Sequence, residues 1–210
     1  LTSADGRAFV AGADIAALRA RGSDDALAAI NSRLFDRVAN LPMPTIAAVR
    51  GFALGGGCEL AIACDLRVAG RSARFGQPEV GLGIMAAAGG TYRLPALVGL
   101  GRARELLFTG RIIDAAEALA IGLCERVVDD DEVENQAFSL AERIARNDRL
   151  AVQSTKAALH RVTHGGPVAI AAESALQAVL FASPEKARRM DAFLAKTAAQ
   201  RPATAAKDTP

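Results

Sequence analysis

Between Thr45 and Asp65 the chain passes from an apolar run, Thr45-Ile-Ala-Ala-Val49, through a segment ending in Gly55-Gly-Gly57 and into the largely apolar Cys58-Glu-Leu-Ala-Ile-Ala-Cys64. No other stretch constrains the fold as strongly. The first run reads as a buried strand and the last as a helix. Three consecutive glycines between them let the backbone turn where a Cβ would obstruct it. They also leave bare N–H groups at the start of a helix, where the helix dipole favours negative charge. An anion therefore fits at Gly56. Glu59 follows three residues on, on the same helical face, and hangs a carboxylate beside that position. A close-packed turn carrying a solvated glutamate explains the same residues, so other motifs must separate the two readings.

The chain has 210 residues, of which 51% are hydrophobic, enough for one sizeable core with or without a docked appendage. A net charge of +2 and only 4% aromatics argue against a nucleic-acid surface, which needs clustered Lys and Arg beside stacking rings. Apolar runs are interrupted well short of a membrane span, and no charged-then-apolar leader is visible, so neither a membrane partner nor export is expected. Cys58, Cys64 and Cys124 are an odd number without metal spacing, and they read as reduced core residues of a cytoplasmic protein.

Taken in order, Leu1-Thr2-Ser3 looks like the end of a strand leading into the turn Ala4-Asp5-Gly6-Arg7, with a missing piece expected upstream. Ala8 to Ile15 gives a short apolar run, with Asp14 as the cap of a following helix. Leu27, Ile30, Leu34, Phe35 and Val38 fall at helical spacing between Asp24 and Asn40, predicting one amphipathic helix laid on the next strand and stopped by Pro42 and Pro44. Leu66–Ala69 and Ala73–Phe75 read as strands. Pro78 then fixes the backbone immediately before Glu79, a carboxylate among apolar neighbours. Gly89-Gly-Thr91 opens a helix interrupted at Pro95, a short helix spans Arg102 to Phe108, and Asp114 with Glu117 forms a capping box. Gly122–Val128 contains a strand. From Asp129 the pattern is almost wholly helical, over 131–145, 150–162, 167–181 and 184–196. Residues 1–128 are thus expected to form a mixed α/β core, 129–198 a helical region and 199–210 a disordered tail. His160 and His164 lie four apart, but their basic neighbours point to surface histidines, and no metal site is expected.

Four segments can now be taken together: Ala11-Gly-Ala-Asp-Ile15, Gly55-Gly-Gly-Cys-Glu59, Phe75-Gly-Gln-Pro-Glu79 and Gly89-Gly-Thr91. Their order and spacing resemble the crotonase superfamily, and specifically its enoyl-CoA hydratases, from Leu1 to about Lys196. The resemblance implies a crotonase-like spiral of ββα units with a C-terminal helical oligomerisation region that assembles trimers, often paired into hexamers. It also implies an acyl-CoA substrate, with coenzyme A part of that substrate and no separate cofactor, and a place in fatty-acid β-oxidation.

Carried over position by position, the N–H groups of Ala13 and Gly56 match the oxyanion hole, and Glu59 and Glu79 match the paired catalytic glutamates. One carboxylate would activate the water that attacks C3 while the other protonates C2, with Glu59 as the water-activating partner and Glu79 as the proton donor. The Ala11, Asp14 and Ile15 loop would line the CoA slot, Ala87 and Tyr92 the water and acyl side, and Lys196 would approach the CoA phosphates of a neighbouring subunit. Some positions depart from the family pattern. Ala16 replaces a basic residue, Ala86-Ala87 a Pro-Gly pair, Tyr92 a glutamine, and Arg188-Arg189 an acidic-glycine pair. The alternatives are an enoyl-CoA isomerase or other crotonase-type reaction on an acyl-CoA, and a non-catalytic acyl-CoA-binding protein.

Overall fold

The computed structural model describes residues 1–3, 8–20, 22–161 and 167–199. Two compact units make up the chain, Leu1–Arg146 and the part from Asn147 onward. The turn at 4–7, the second histidine His164 and the C-terminal tail lie outside the described residues, as does the side chain of His160.

The first unit begins with β1 (Ala8–Val10), α1 (Ile15–Arg19), α2 (Ser23–Ala28) and α3 (Ile30–Ala39). Next come β2 (Ile46–Val49), β3 (Phe52–Leu54), α4 (Gly56–Ala63), β4 (Leu66–Gly70) and β5 (Arg74–Gly76). A 3-10 turn over Pro78–Leu82 leads to α5 (Gly90–Val98), α6 (Leu100–Thr109), β6 (Ile112–Asp114), α7 (Ala115–Ala120), β7 (Arg126–Val128) and α8 (Val133–Ala145).

Strands β1, β3, β5 and β6 form one sheet, parallel except for antiparallel β6, while β2, β4 and β7 form a second, wholly parallel sheet. Strands adjacent in sequence go to different sheets: β2 then β3 before α4, β4 then β5 before α5 and α6. This alternation of one strand per sheet followed by helix is the ββα spiral, and it buries β2 and β4 on both faces, which explains runs such as Ile46–Val49 without polar alternation. A single buried cluster draws Phe9, Ala53 and Phe75 from one sheet, Val49 and Ala69 from the other, and Cys58, Ala61 and Ile62 from α4. Cys58, Cys64 and Cys124 are free and buried.

Polar side chains fix the strand ends. Thr45 donates its N–H and hydroxyl to Asp65 Oδ2 at 2.6 and 2.9 Å and accepts from the Asp65 N–H at 3.1 Å, which aligns β2 with β4. Arg67 on β4 is only 1% exposed. Its guanidinium donates to Leu123 O at 2.7 Å and Cys64 O at 3.0 Å and pairs with Glu125, tying the end of α4 to the approach to β7.

Several elements differ from the sequence reading. Leu1 donates its amino group to Ile46 O and accepts from the Ala48 N–H, both at 2.8 Å, so it pairs with β2 without forming a strand of its own. The helix expected over 24–40 is two helices, broken at Ala29 with φ 49°. Phe35 packs with Ala63 of α4 and with Ala88, so α3 lies on a helix and not on the next strand. Leu27 and Ile30 are left 78% and 68% exposed. The helix opened by Gly90 runs through Pro95, because Leu94 and Val98 are buried on either side of it and hold the turn despite the missing donor. The compact unit ends at Arg146, not at residue 128. Val133, Ala137 and Leu140 form one stripe of α8 that covers Ala48 and Val68 of the second sheet.

In the second unit, α9 (Arg149–Arg161), α10 (Pro167–Phe181) and α11 (Pro184–Ala199) follow in order, and α9 contacts α10. Asp148 Oδ1 accepts from the Ala151 N–H at 2.7 Å at the start of α9. On α11, Arg188 and Arg189 both pair with Glu185, one turn earlier, and hold its carboxyl at about 2.

Candidate active site

Three glycines explain how the first unit brings its chemistry together. Gly55 takes φ 54°, on the left-handed side that glycine tolerates, and turns β3 into α4. The first intrahelical bond runs from the Glu59 N–H to Gly55 O at 3.0 Å, and helix geometry leaves the N–H groups before it without intrahelical acceptors. A Cβ built on Gly57 would sit 1.9 Å from Val10 O, so no other residue allows α4 to lie this close to β1. A Cβ on Gly12 would lie 3.3 Å from Leu54 O, which lays the loop after β1 along the turn into α4. Ala13 and Gly56 are thus carried to the same end of α4, and Gly56 faces open space, with nothing within 4 Å of a Cβ there.

Glu59 is one turn into α4 and only 3% exposed. Its Oε1 accepts from the Ala88 N–H at 2.6 Å and the Gly90 N–H at 2.9 Å, both from the turn that opens α5. Burial pushes its carboxyl above the ordinary glutamate value, opposed by the N–H groups of Gly90 and Ala88 and by the charge of Arg93. Glu79, on the 3-10 turn, is half-buried, and its Oε1 would lie 3.1 Å from a Cβ on Gly55. It too is pushed up, first by burial and then by the negative charge of Glu59. Two carboxylates, each raised, therefore flank the N-terminal turn of α4.

Against this geometry, a family model described as enoyl-CoA hydratase/isomerase matches residues 1–201. The chain belongs to this family. Among its relatives, it is 44% identical over 199 residues to a short-chain-enoyl-CoA hydratase of Clostridium acetobutylicum, covering 93% of this chain and 76% of that one. It is 43% identical, with the same coverage, to a crotonyl-CoA hydratase of Syntrophomonas wolfei. The crystal structure of an enoyl-CoA hydratase from Bacillus anthracis superimposes with a TM-score of 0.89 at 38% identity, covering 93% of this chain and 77% of that one.

The remaining expected site residues of this enoyl-CoA hydratase/isomerase family member fall as follows. Ala11 and Ile15 are exposed beside Ala13. The Asp14 carboxylate accepts from the Ala16 N–H at 2.8 Å and caps α1, which leaves its main chain for any ligand contact. Ala87 is exposed in the turn before α5, and its φ is not positive, so a residue with a side chain stands there without strain. The Tyr92 ring turns back onto the Arg93 guanidinium, 4.8 Å away, and its hydroxyl would lie 3.3 Å from a Cβ on Gly89. The side chain of Lys196 lies outside the described residues. A cavity of about 550 Å³ between α9 and α10, lined by Ser154, Leu159, Ser174 and Leu180 among others, has no titratable lining residue and holds none of these groups.

Sequence reasoning assigned no role to Gln77, which is 1% exposed. With its amide nitrogen turned towards Glu79, it donates to both carboxylate oxygens at 3.1 and 3.2 Å. The far end of the same side chain lies at Gly90, where a Cβ would meet it and Glu59 Oε1 at 3.2 Å each. Its signal was an uncharged polar residue inside an otherwise apolar strand-to-turn segment, immediately before Pro78. The donors Ala88 and Gly90 carry no side-chain signal at all.

Proposed function

We propose that this protein adds water across the 2,3-double bond of a short-chain enoyl-CoA. The observation that carries the reading is the pairing of a buried Glu59, held by two backbone donors, with Glu79 across the first turn of α4. The names of the two relatives support the short-chain substrate class. Glu59 takes a proton from water as its oxygen bonds to C3. The electron pair of the double bond moves towards C2, and negative charge develops on the thioester oxygen. The N–H groups of Ala13 and Gly56 receive that charge, and such a pair of donors stabilises a transition state by several kcal/mol, about 10²–10³ in rate for one donor. Glu79 then delivers a proton to C2 and completes the addition. Coenzyme A enters and leaves as part of the substrate, and the carboxylates do the proton transfers without a separate cofactor. The exposed Val179, Phe181, Met190 and Leu194 of the helical unit support assembly as a homotrimer or hexamer. Among the described residues no helix is long and apolar enough to cross a membrane. A cytoplasmic place in fatty-acid breakdown accords with the substrate class.

The test is hydration of crotonyl-CoA by the full chain, followed as loss of absorbance of the conjugated thioester. Turnover is expected, with kcat lowered about 10²–10⁴-fold in both Glu59→Gln and Glu79→Gln. Activity only in moving a 3,4-double bond into conjugation would replace hydration with isomerisation. Acyl-CoA binding with no turnover of any enoyl-CoA would refute an enzymatic role.

A further inference from the structure

Glu59 is held by the turn Ala88–Gly90, and Arg93 is what holds that turn. The Arg93 side chain, 12% exposed, donates through Nη1 to Ala88 O at 3.2 Å, the carbonyl of the same residue whose N–H binds Glu59 at 2.6 Å. It packs so tightly under the turn that a Cβ on Gly89, at φ 118°, would lie 2.0 Å from Nη1. Two further groups fix the guanidinium: Asp36 of α3, with Oδ1 at 3.4 Å, and the Tyr92 ring at 4.8 Å. A planar cation gripped on three sides suits a fixed geometry, because the guanidinium fork is more preorganised than an ammonium.

We propose that Arg93 is a positioning residue for the water-activating step, setting the Ala88–Gly90 donors and the local field in which Glu59 gains and loses its proton, with Asp36 and Tyr92 holding Arg93 in register. The inference rests on the reading of Glu59 as the base. It also gives the Tyr92 substitution a place: the tyrosine lies on the Arg93 side of the turn, stacked on the cation. The charged and titratable groups that bear on Glu59 are few. Glu79 faces it from the 3-10 turn, Arg93 from α5 with Asp36 behind it on α3, and Cys58 neighbours it on α4. Strands β1 and β3, packed on the same helix, carry no ionisable side chain, and β4 carries Arg67, whose guanidinium pairs with Glu125. Arg93 is the cation whose charge draws the Glu59 carboxyl downwards against the effect of burial.

The experiment compares pH profiles of kcat and KM for wild type, Arg93→Met, Arg93→Lys and Glu59→Gln, with Arg93→Met also placed in the Glu59→Gln background, and thermal unfolding run on each. Arg93→Met is expected to move the acid limb of the kcat profile to higher pH and to lower kcat at neutral pH about tenfold, with KM within about twofold. Arg93→Lys should return the acid limb towards its wild-type position, because the charge is restored. In the Glu59→Gln background Arg93→Met should cost no further activity, as expected for residues acting through one another. An unmoved acid limb in Arg93→Met overturns the proposal, as does a full additional loss in the double variant. If Arg93→Met unfolds, Arg93→Lys with a displaced acid limb overturns it independently. Retention of wild-type rate in Glu59→Gln instead removes the base reading itself, and so separates the two failures.

Discussion

Gly57→Ala tests the close approach on which the site depends. The added Cβ would stand 1.9 Å from Val10 O, 2.7 Å from Val10 C and 2.8 Å from Val10 Cβ. Two of the three are backbone atoms, so no side-chain rotation relieves the clash, and restoring van der Waals contact needs α4 and β1 to part by about 1.5 Å. Overpacking of this kind costs about 1–3 kcal/mol, and in a chain of this size each kcal/mol lowers Tm by about 2–4 °C. The functional consequence is of comparable size. Gly56 and Glu59 ride on α4, while Ala13 follows β1, so parting the two elements displaces the donors from each other. Misplacement by about 1 Å is worth roughly 10²-fold in rate, or about 2.7 kcal/mol of transition-state stabilisation. The assay is kcat and KM for crotonyl-CoA hydration beside thermal unfolding, with Gly56→Ala as the companion. Gly56 has no positive φ and nothing within 4 Å of its Cβ position, so its alanine should leave Tm equal or slightly higher. A Gly57→Ala protein with unchanged Tm and kcat would refute the reasoning. Lowered Tm with full kcat would show that the contact supports the fold but does not space the donors.

Glu59→Gln and Glu79→Gln should be more thermostable than wild type at pH 8. Both carboxyls are raised above the ordinary value, so the stability they contribute is full below that value and is lost as pH climbs through the raised one. An uncharged glutamine escapes that loss, and the Tm difference should close as the pH approaches 4. Gln77→Leu removes the amide that donates to both oxygens of the Glu79 carboxylate, so the basic limb of the rate profile should move to higher pH. Arg67→Met strips the partners of buried carbonyls and of Glu125 and should cost about 3–5 kcal/mol, read from the urea midpoint with m unchanged.

The parts of this molecule legible in its sequence were those with a local cause. Strand β2, helix α4, the Asp14 cap and the Asp114 cap each follow from spacing or from one side chain bonding its own backbone, while the Glu117 carboxylate expected to complete a capping box pairs with Arg111 instead. What escaped was decided by distant partners. Strand β3 is three residues between glycines, and it exists because β1 and β5 bond to it on either side. The break at Ala29 carries neither glycine nor proline, so periodicity ran straight across it. Pro95 looked like a stop because its lost hydrogen bond is visible in sequence, while the burial of Leu94 and Val98 is not. At the site the same rule holds. Both glutamates were legible once the four motifs were taken together, whereas the backbone donors at Ala88 and Gly90 and the buried amide of Gln77 depend on where the turn comes to rest.

Hydration needs one carboxylate empty and one protonated, and the surroundings of the two glutamates differ in a way that favours the proposed roles. Glu59 has two N–H donors on one oxygen and Arg93 nearby, all favouring its charged form against the cost of burial. Glu79 has its own backbone N–H and the neutral amide of Gln77, and it feels the negative charge of Glu59 itself. Once Glu59 is ionised, removal of a second proton places like charges across one helical turn in a poorly solvated space, so the pair titrates in two steps instead of together. In the roles proposed above, Glu59 is the carboxyl that stands ionised between those steps and Glu79 the one that keeps its proton. Between those steps the site holds a base and an acid at once, which argues for water activation by Glu59 and proton delivery by Glu79. It also argues that the interval between the two limbs of the rate profile is set by the backbone donors and Arg93 on one side and by the repulsion between the carboxylates on the other.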